Sequence, residues 1–289
     1  MKRHVLLYLI FLQSACIGQI KKVHKTDFNT IFICIDSISY KQLFQSKYIK
    51  DTLFLCREQQ QVTNNDSYTG KYFIGESSTI ELFQPQKTNH LGDSFGDWGI
   101  EFKTRKINFL NVIVKKAKSL KLSIDTSTTS TLLDSLQIPW YKTLSFKNIK
   151  NELTILEYQA KYLKDLGFSE KQVRQTMTLK EYNSILSNGK KYPRQFEMVT
   201  NIKLYADKKT IENLKVFARL NNCIKIGDKF TNGITTIEYT EVNNLPQFPI
   251  REVSVSLLNG QTFRIEKISD NLLLKINGKT ATLIFKYYN

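Results

Sequence analysis

The stretch Phe28-Asn29-Thr30-Ile31-Phe32-Ile33-Cys34-Ile35-Asp36 begins the folded part of the chain and sets its pattern. Its β-branched and aromatic residues are almost uninterrupted, which is typical of a buried strand. Asp36 or Ser37 can accept backbone hydrogen bonds at the start of a helix. In the helix that follows, four apolar residues recur at helical spacing: Tyr40, Leu43, Phe44 and Tyr48. Three further strands are predicted, at residues 55–62, 70–74 and 79–83.

The same order of strand, helix and three strands recurs twice. The second occurrence starts with a strand at residues 98–102, followed by a segment in which Leu110, Ile113, Val114 and Ala117 recur at helical spacing. The third starts with an alternating strand at residues 202–206 that ends at Asp207, where a further amphipathic helix begins. The sequence therefore consists of repeated units.

These patterns predict an α+β fold made of tandem strand-helix-strand-strand-strand units, with a helical insertion and a C-terminal β-hairpin extension. The first two units pair over residues 27–160, as 27–87 and 98–160. A helical connecting arm follows at 161–199, either as a plain linker or packed across the mouth of a site. The third unit and the hairpin occupy residues 200–289, and Asn277-Gly278 is predicted to form the hairpin turn.

Residues 1–18 have the pattern of a secretory signal peptide. A basic start, Met1-Lys2-Arg3-His4, precedes an apolar run at 5–12 that is too short to span a bilayer, and small residues follow it. Cleavage after Gly18 would release a periplasmic or secreted protein. Alternatively Cys16 is lipidated and anchors the chain to a membrane, although Gln13 stands where a lipobox has an aliphatic residue. We expect an exported protein, with plain cleavage favoured.

Composition narrows the range of partners. The chain of 289 residues is 41% hydrophobic, as globular proteins are, and its formal net charge is +16. Its lysines are scattered rather than clustered, so nucleic acid is not an expected partner, while an anionic envelope component remains an alternative. Cys34, Cys56 and Cys223 are an odd set once Cys16 is removed, which favours buried free thiols over a disulfide framework.

The repeated unit resembles the glyoxalase-type fold of the vicinal oxygen chelate superfamily. The amino-acid sequence of residues 28–32, 67–72 and 79–83 also resembles that of a glyoxalase-like family of exported bacterial proteins of unknown function. The resemblance implies an open curled sheet around a central site, where a divalent metal is held by a His on the first strand and a Glu on the last strand of a unit. Such a metal would act as a Lewis acid.

Carried over by this resemblance, Glu81 and Glu157 fall at the last-strand positions of the first two units and are the candidate metal ligands. Glu81 is also the candidate base. The first-strand position is Thr30 in the first unit, and Glu101 is the nearest residue in the second unit that could ligate a metal. No histidine occupies either position, so no cofactor is assigned. A divalent metal held by carboxylates alone stays an alternative.

Two further groups could belong to a site. Tyr68, Tyr72 and Glu76 cluster around a predicted turn and could bind a small polar molecule. Cross-strand packing is the commoner role for such tyrosines. His90, with Asp93 and Asp97 in the same loop, is a candidate acid or base. Surface histidines usually have no such role.

Two functions therefore remain open. The first is a module that binds a small ligand in the sheet cavity without the standard His/Glu metal site, which the missing histidines favour. The alternative is a divalent-metal-dependent enzyme of lyase, isomerase or dioxygenase type that uses Glu81 as ligand or base.

The leader makes a prediction of its own. When the full chain is expressed in a bacterial host fed a labelled fatty acid, the mature protein should carry no label, because the residue three before Cys16 is unsuited to lipidation. Incorporation of the label, and its loss in Cys16→Ser, would contradict plain cleavage.

Overall fold

The computed structural model describes residues 25–64, 67–87, 92–133, 136–147 and 151–287. The predicted leader at 1–18, His24 and His90 lie outside these residues. Within them, no helix is long and apolar enough to cross a membrane.

The first two units build one eight-stranded sheet in the order β2-β3-β4-β1-β5-β8-β7-β6. In each unit the first and last strands are parallel neighbours, β1 with β4 and β5 with β8. The two units join where β1 pairs antiparallel with β5. The elements are β1 (Thr26–Cys34), α1 (Ser37–Gln42), a π-helical turn (Ile49–Leu53), β2 (Leu55–Val62), β3 (Ser67–Ile74), β4 (Thr79–Phe83), β5 (Trp98–Thr104), α2 (Phe109–Ser119), β6 (Ile124–Leu133), β7 (Leu136–Phe146) and β8 (Glu152–Tyr158).

The third unit builds a second, six-stranded sheet in the order β10-β11-β12-β9-β13-β14. Its first strand, β9, is parallel to its last strand, β12, and antiparallel to β13, so β13 takes the place that β5 has in the first sheet. The elements are β9 (Phe196–Ala206), α6 (Lys208–Leu220), β10 (Ile224–Ile226), β11 (Lys229–Thr231), β12 (Thr236–Glu241), β13 (Ile250–Lys267) and β14 (Leu272–Phe285).

The eight-stranded sheet curls until its two edges meet. A bridge pairs Thr63, just after β2, with Thr131 of β6. The backbone N–H of Ser130 donates to the side-chain oxygen of Asn64 at 2.7 Å, and the Gln61 amide donates to the Thr131 hydroxyl at 3.2 Å. Eight strands closed in this way leave an interior wide enough for one small ligand.

The main core lies between the outer face of this sheet and the second sheet. Alternation along β5 points Trp98, Ile100 and Phe102 into this core, where all three are buried. The ring of Phe102 meets the ring of Phe217 on α6 edge to face at 5.4 Å. Cys34 is buried in the same region, as its apolar surroundings predict.

The arm between the sheets folds into three short helices, α3 (Ala160–Asp165), α4 (Glu170–Arg174) and α5 (Leu179–Leu186). Ser169 and Thr178 form capping boxes that begin α4 and α5. The helices enclose a small apolar cluster of their own. Asp27 of β1 accepts a hydrogen bond from the Leu179 backbone at 3.0 Å, which fixes the arm to the first sheet.

The predicted fold class is confirmed: tandem strand-helix-strand-strand-strand units, a helical insertion and a C-terminal hairpin form an α+β structure. The predicted position of the hairpin turn is wrong. The chain reverses at residues 268–271, where Ile268 and Ser269 donate to the Leu272 carbonyl. Gly278, at φ 57°, instead lies within β14 opposite Gln261, where the register shifts. A β-bulge absorbs the positive φ there, so pairing continues past it.

Gly96 ties the two sheets together. Its N–H donates to the Cys34 carbonyl at 2.9 Å, and its φ is +85°. A Cβ at this position would overlap the carbonyl oxygen of Gln247. The neighbouring Phe95 ring lies 5.3 Å from the Phe248 ring, so the loop contacts both sheets.

We predict that Gly96→Ala lowers the free energy of unfolding by about 3 kcal/mol, because backbone strain adds to a steric clash. Gly189→Ala is the matched control, since Gly189 also has a positive φ (+71°) but nothing within 4 Å of the added methyl. It should cost about 1 kcal/mol. Urea denaturation measures both, and equal costs would contradict the clash.

Candidate functional site

The concave face of the eight-stranded sheet encloses a cavity of about 310 Å³. Strands from both units contribute to its wall, because β1 and β5 run side by side through its floor. The described lining residues are Asn29, Thr30, Phe32, Thr63, Tyr68, Glu81, Phe83, Gln86, Gly92, Asp93, Ile100, Glu101, Thr129, Trp140, Tyr141, Glu152, Thr154, Leu156 and Tyr158. None of these is Lys, Arg or His.

Three glutamates project into the cavity from three strands. Glu81 lies on β4, Glu101 on β5 and Glu152 on β8. The strand register forms one row of neighbouring residues across four strands, in the order Glu81, Phe32, Gly99 and Glu152. Glu81 and Glu152 therefore lie at the two ends of this row. Glu101 stands in the next row, between Thr30 and Thr154.

A β-bulge in β1 places Asn29 beside the second carboxylate. Phe28 pairs with Phe102 and Thr30 with Glu101, which leaves Asn29 as the extra residue. Its side-chain amide donates to Glu101 Oε1 and to the Thr30 hydroxyl. Asn29 therefore orients Glu101 within the cavity.

The other two carboxylates have no such support. Across the part of the chain that the structure describes, neither Glu81 nor Glu152 has a hydrogen-bond or ion-pair partner. Buried polar groups in folded proteins are nearly always hydrogen-bonded, so unpartnered carboxylates facing a cavity require an explanation.

Burial raises the pKa of all three glutamates from the ordinary value of 4.5. The pKa of Glu81 rises to about 7, through desolvation and then the negative charge of Glu152. The pKa of Glu152 rises to about 7 through desolvation. The pKa of Glu101 rises to about 8, through desolvation and then the charge of Glu81, while the hydrogen bond from Asn29 opposes the rise. The three glutamates are therefore partly protonated near neutral pH.

Aromatic rings form much of the remaining wall. The Phe83 ring contacts the Phe32 and Tyr68 rings edge to face at 6.1 and 5.7 Å. On the opposite wall the Trp140 and Tyr141 ring centroids lie 4.7 Å apart. A Cβ on Gly99 would overlap the Phe32 ring, so the glycine makes room for this aromatic floor.

The helical arm reaches the cavity only through a ring stack behind it. The Tyr158 ring, which lines the cavity, stacks on Tyr182 of α5 at 5.1 Å. The ammonium group of Lys103 lies over both rings, 5.3 Å from the Tyr158 centroid and 4.7 Å from that of Tyr182. Desolvation lowers the pKa of Lys103 to about 8. No described residue of the arm lines the cavity itself.

Glu157 does not join Glu81, because it lies on the opposite face of the sheet. Its carboxylate accepts hydrogen bonds from the Asn108 and Leu110 backbone N–H groups, both at 2.8 Å, and from the Thr104 hydroxyl at 3.1 Å. These bonds satisfy the N-terminus of α2. The expectation that Glu81 and Glu157 meet at one metal is therefore corrected, and Glu157 has a structural role.

The tyrosine and glutamate cluster predicted around residues 68–76 is also divided. Tyr68 lines the cavity. Tyr72 is the cross-strand partner of Glu81, but it is not among the described residues that line the cavity. Glu76 lies in the turn after β3, where its carboxylate pairs with Lys180 of the arm at 2.8 Å.

The loop after β4 contributes one rim of the cavity. Asp93 is buried and lines this rim, next to Gln86 and Gly92. Asp97 instead accepts hydrogen bonds from the backbones of Gly92 and Ser94, both at 3.1 Å, and so shapes the loop. The predicted acid or base His90 lies outside the described residues.

Glu152 was not predicted as a site residue, and Glu101 was named only as the nearest ligand-capable residue of its unit. Alternation in β5 was a usable signal for Glu101, since Trp98, Ile100 and Phe102 face the core and Gly99, Glu101 and Lys103 the other side. Glu152 precedes the apolar run of its strand. From the sequence alone it would therefore be assigned to the loop before that strand.

The donor set of the cavity does not fit the standard His/Glu metal site. Its described acidic residues lie on three strands and one loop: Glu81, Glu101 and Glu152 on the strands and Asp93 in the loop. Among all described residues, no three of His, Cys, Asp or Glu lie close enough together to hold a metal ion.

Comparisons with known proteins place the chain in a family. The sequence profile described as "Family of unknown function (DUF5829)" matches residues 28–285. No curated protein matches. One similar solved structure is a xylose isomerase-like TIM barrel/4-hydroxyphenylpyruvate dioxygenase fusion protein, with 8% identity and a TM-score of 0.43 over 76% of this chain and 32% of that one. Another is the 2,3-dioxygenase LapB from Pseudomonas sp. KL28, with 8% identity and a TM-score of 0.24 over 77% of this chain and 93% of that one. This chain thus spans about a third of the first of these proteins.

The raised pKa values predict how stability depends on pH. Folding favours the protonated glutamates, so the free energy of unfolding should fall as pH rises from about 4.5, where unfolded glutamates ionise, to about 8. Glu101→Gln removes one ionising group and should gain on the order of 2 kcal/mol over the wild type at pH 8.5, but little at pH 4.

Urea denaturation across this pH range measures the effect. Glu241→Gln, at an exposed position, is the control and should leave the pH profile unchanged. If Glu101→Gln leaves the pH dependence of the free energy of unfolding unaltered, the Glu101 carboxyl group titrates like an exposed one and the prediction is wrong.

Proposed function

The chain belongs to this family of unknown function, and we propose that it is an exported protein that binds a small ligand in the cavity of its eight-stranded sheet. One observation carries the proposal: carboxylates on three strands face a common cavity, and two of them lack a partner among the described residues. The signal-peptide pattern of residues 1–18 supports export.

The cost of these groups supports a binding role. A half-buried carboxylate without a partner in the protein loses part of its hydration, and glutamine or an apolar residue would avoid that cost. The sheet has room for such residues, since Thr30 and Thr154 occupy neighbouring positions of the same face. Functional sites are where proteins retain such unfavourable groups.

The size and lining of the cavity also suit a ligand. Its volume of about 310 Å³ lies at the lower end of the range for small-molecule sites. Aromatic walls with a few converging polar groups are the usual composition of such sites. We therefore infer that the ligand is a small molecule.

Fragment screening by methyl NMR tests this proposal. We expect members of a library of small polar fragments to shift the methyl resonances of Thr154 and Leu156, which line the cavity. Thr154→Trp should abolish these shifts by filling it, whereas Val112→Trp, at an exposed position of α2, should not.

Fragments that bind only elsewhere, or that bind unchanged to Thr154→Trp, would refute a binding cavity. The spectrum itself reports whether Thr154→Trp folds. If Thr154→Trp does not fold, Glu101→Gln alters the same wall without added volume. Fragment-induced shifts that are identical in wild-type protein and Glu101→Gln would then also refute a binding cavity.

A second candidate is an enzyme in which Glu81 acts as base, or as a ligand of a divalent metal. The observation that favours it is the pKa of Glu81, raised to about 7, where a carboxylate can both accept and release a proton. The missing histidines and the spread of the carboxylates argue against the metal-dependent form.

Metal analysis of the mature protein separates the two candidates. We expect less than stoichiometric Mg²⁺, Mn²⁺, Fe or Zn in wild-type protein, and the same content in Glu81→Gln. Stoichiometric metal that is lost in Glu81→Gln but kept in Glu241→Gln would refute the binding-only function.

A further inference from the structure

We propose that the ligand of this cavity is an organic amine cation carrying two or more ammonium groups. This inference rests on the proposed binding function and deepens it by naming the chemical class. It is carried by the arrangement of Glu81, Glu101 and Glu152 around an aromatic cavity without a described cationic residue.

The charge of the cavity favours a positive ligand. Besides the three glutamates, the described titratable groups that line the cavity are Asp93, Tyr68, Tyr141 and Tyr158. The other described polar residues of the lining are all uncharged: Asn29, Thr30, Thr63, Gln86, Thr129, Trp140 and Thr154. Lys103, a described cation on the same face of β5 as Glu101, lies over the Tyr158 and Tyr182 rings. No described residue supplies a positive charge to Glu81 or Glu152, and a cationic ligand would supply it.

The spacing of the carboxylates favours a cation with distributed charge. Glu81 and Glu152 stand three strand spacings apart in one row, roughly 14 Å along the sheet before its curl shortens the distance. A single metal ion needs its donors within about 2.6 Å, and among the described residues no three His, Cys, Asp or Glu side chains are grouped closely enough to hold one. An aliphatic chain with an ammonium group at each end can reach both carboxylates.

The aromatic lining suits the same class of ligand. Methylene groups between the ammonium groups can pack on Phe32, which lies between the two carboxylates in their row. The rings of Tyr68, Trp140 and Tyr141 can face an ammonium group, since a cation over an aromatic face is attracted to it. Anionic ligands would meet three carboxylates and no described cation.

Calorimetric titration with probes of one carbon skeleton tests the class. The probes are 1,4-diaminobutane, 1,4-butanediol and succinate, together with spermidine as a longer amine. We expect the diamine or spermidine to bind with one-to-one stoichiometry, and the diol and succinate to bind at least tenfold more weakly.

Variants locate the binding. Glu81→Gln and Glu152→Gln should each weaken amine binding at least about tenfold, the usual consequence of removing one partner of a buried charge pair. Glu241→Gln, at its exposed position, should not change it. Amine affinity should also rise from pH 6 to pH 8 with release of protons, because the cation requires ionised carboxylates while the amines stay protonated.

Each other outcome has a defined meaning. Binding of the diol or succinate without binding of either amine would refute the amine class and leave a ligand-binding cavity standing. Tight Mg²⁺ or Ca²⁺ binding that is lost in Glu81→Gln and that displaces the amine would replace the organic cation with a metal. Amine binding that all the glutamine variants retain would place it on the surface and refute the inference. If no amine binds and fragments also fail to enter the cavity, both this inference and the proposed function are refuted.

Discussion

The antiparallel pairing of β1 with β5 is the constraint on which the rest of the first sheet depends. In each unit the last strand pairs in parallel with the first strand. β4 pairs with β1, and β8 pairs with β5. The central pairing therefore fixes where the last strands of both units lie. It also sets the register that aligns Glu81 with Glu152 and contains the bulge that places Asn29 against Glu101. A shift of this register by one residue would turn these side chains into the apolar core.

A buried glutamate and half-buried glutamates lie on the two faces of the same sheet. Glu157 faces the core side and accepts hydrogen bonds from two backbone groups and a hydroxyl, so its charge serves the start of α2. Glu81 and Glu152 face the cavity, have no partner among the described residues, and have raised pKa values. Glutamate on the outer face thus stabilises the folded protein, whereas the ionised glutamates on the cavity face destabilise it. This contrast is the reason for assigning function to the concave face and structure to the outer face.

The sequence predicted the units and one carboxylate because both follow from local periodicity. Glu81 alternates with Ile80 and Leu82, which are buried on the other face, so its orientation could be derived. Glu157 could not be assigned in this way, because every residue from Leu153 to Glu157 is buried and alternation gives no preferred face. Asn29 depends on a bulge, which has no signature in a run of β-branched residues. The hairpin turn was misplaced because Asn277-Gly278 permits a bulge as readily as a reversal.

The positive charge of the whole chain does not oppose a cationic ligand. The net charge of +16 comes from lysines and arginines that are scattered along the sequence. Charges on an exposed surface are screened within about 8–10 Å at physiological salt, whereas partly buried charges such as those that line the cavity are screened less. The potential inside the curled sheet is therefore set mainly by its own carboxylates. A basic surface around an acidic cavity slows the approach of cations, but it does not remove the attraction between a bound cation and the glutamates. Selectivity for ligand charge is therefore determined in the cavity. It depends on how many of the three glutamates are ionised.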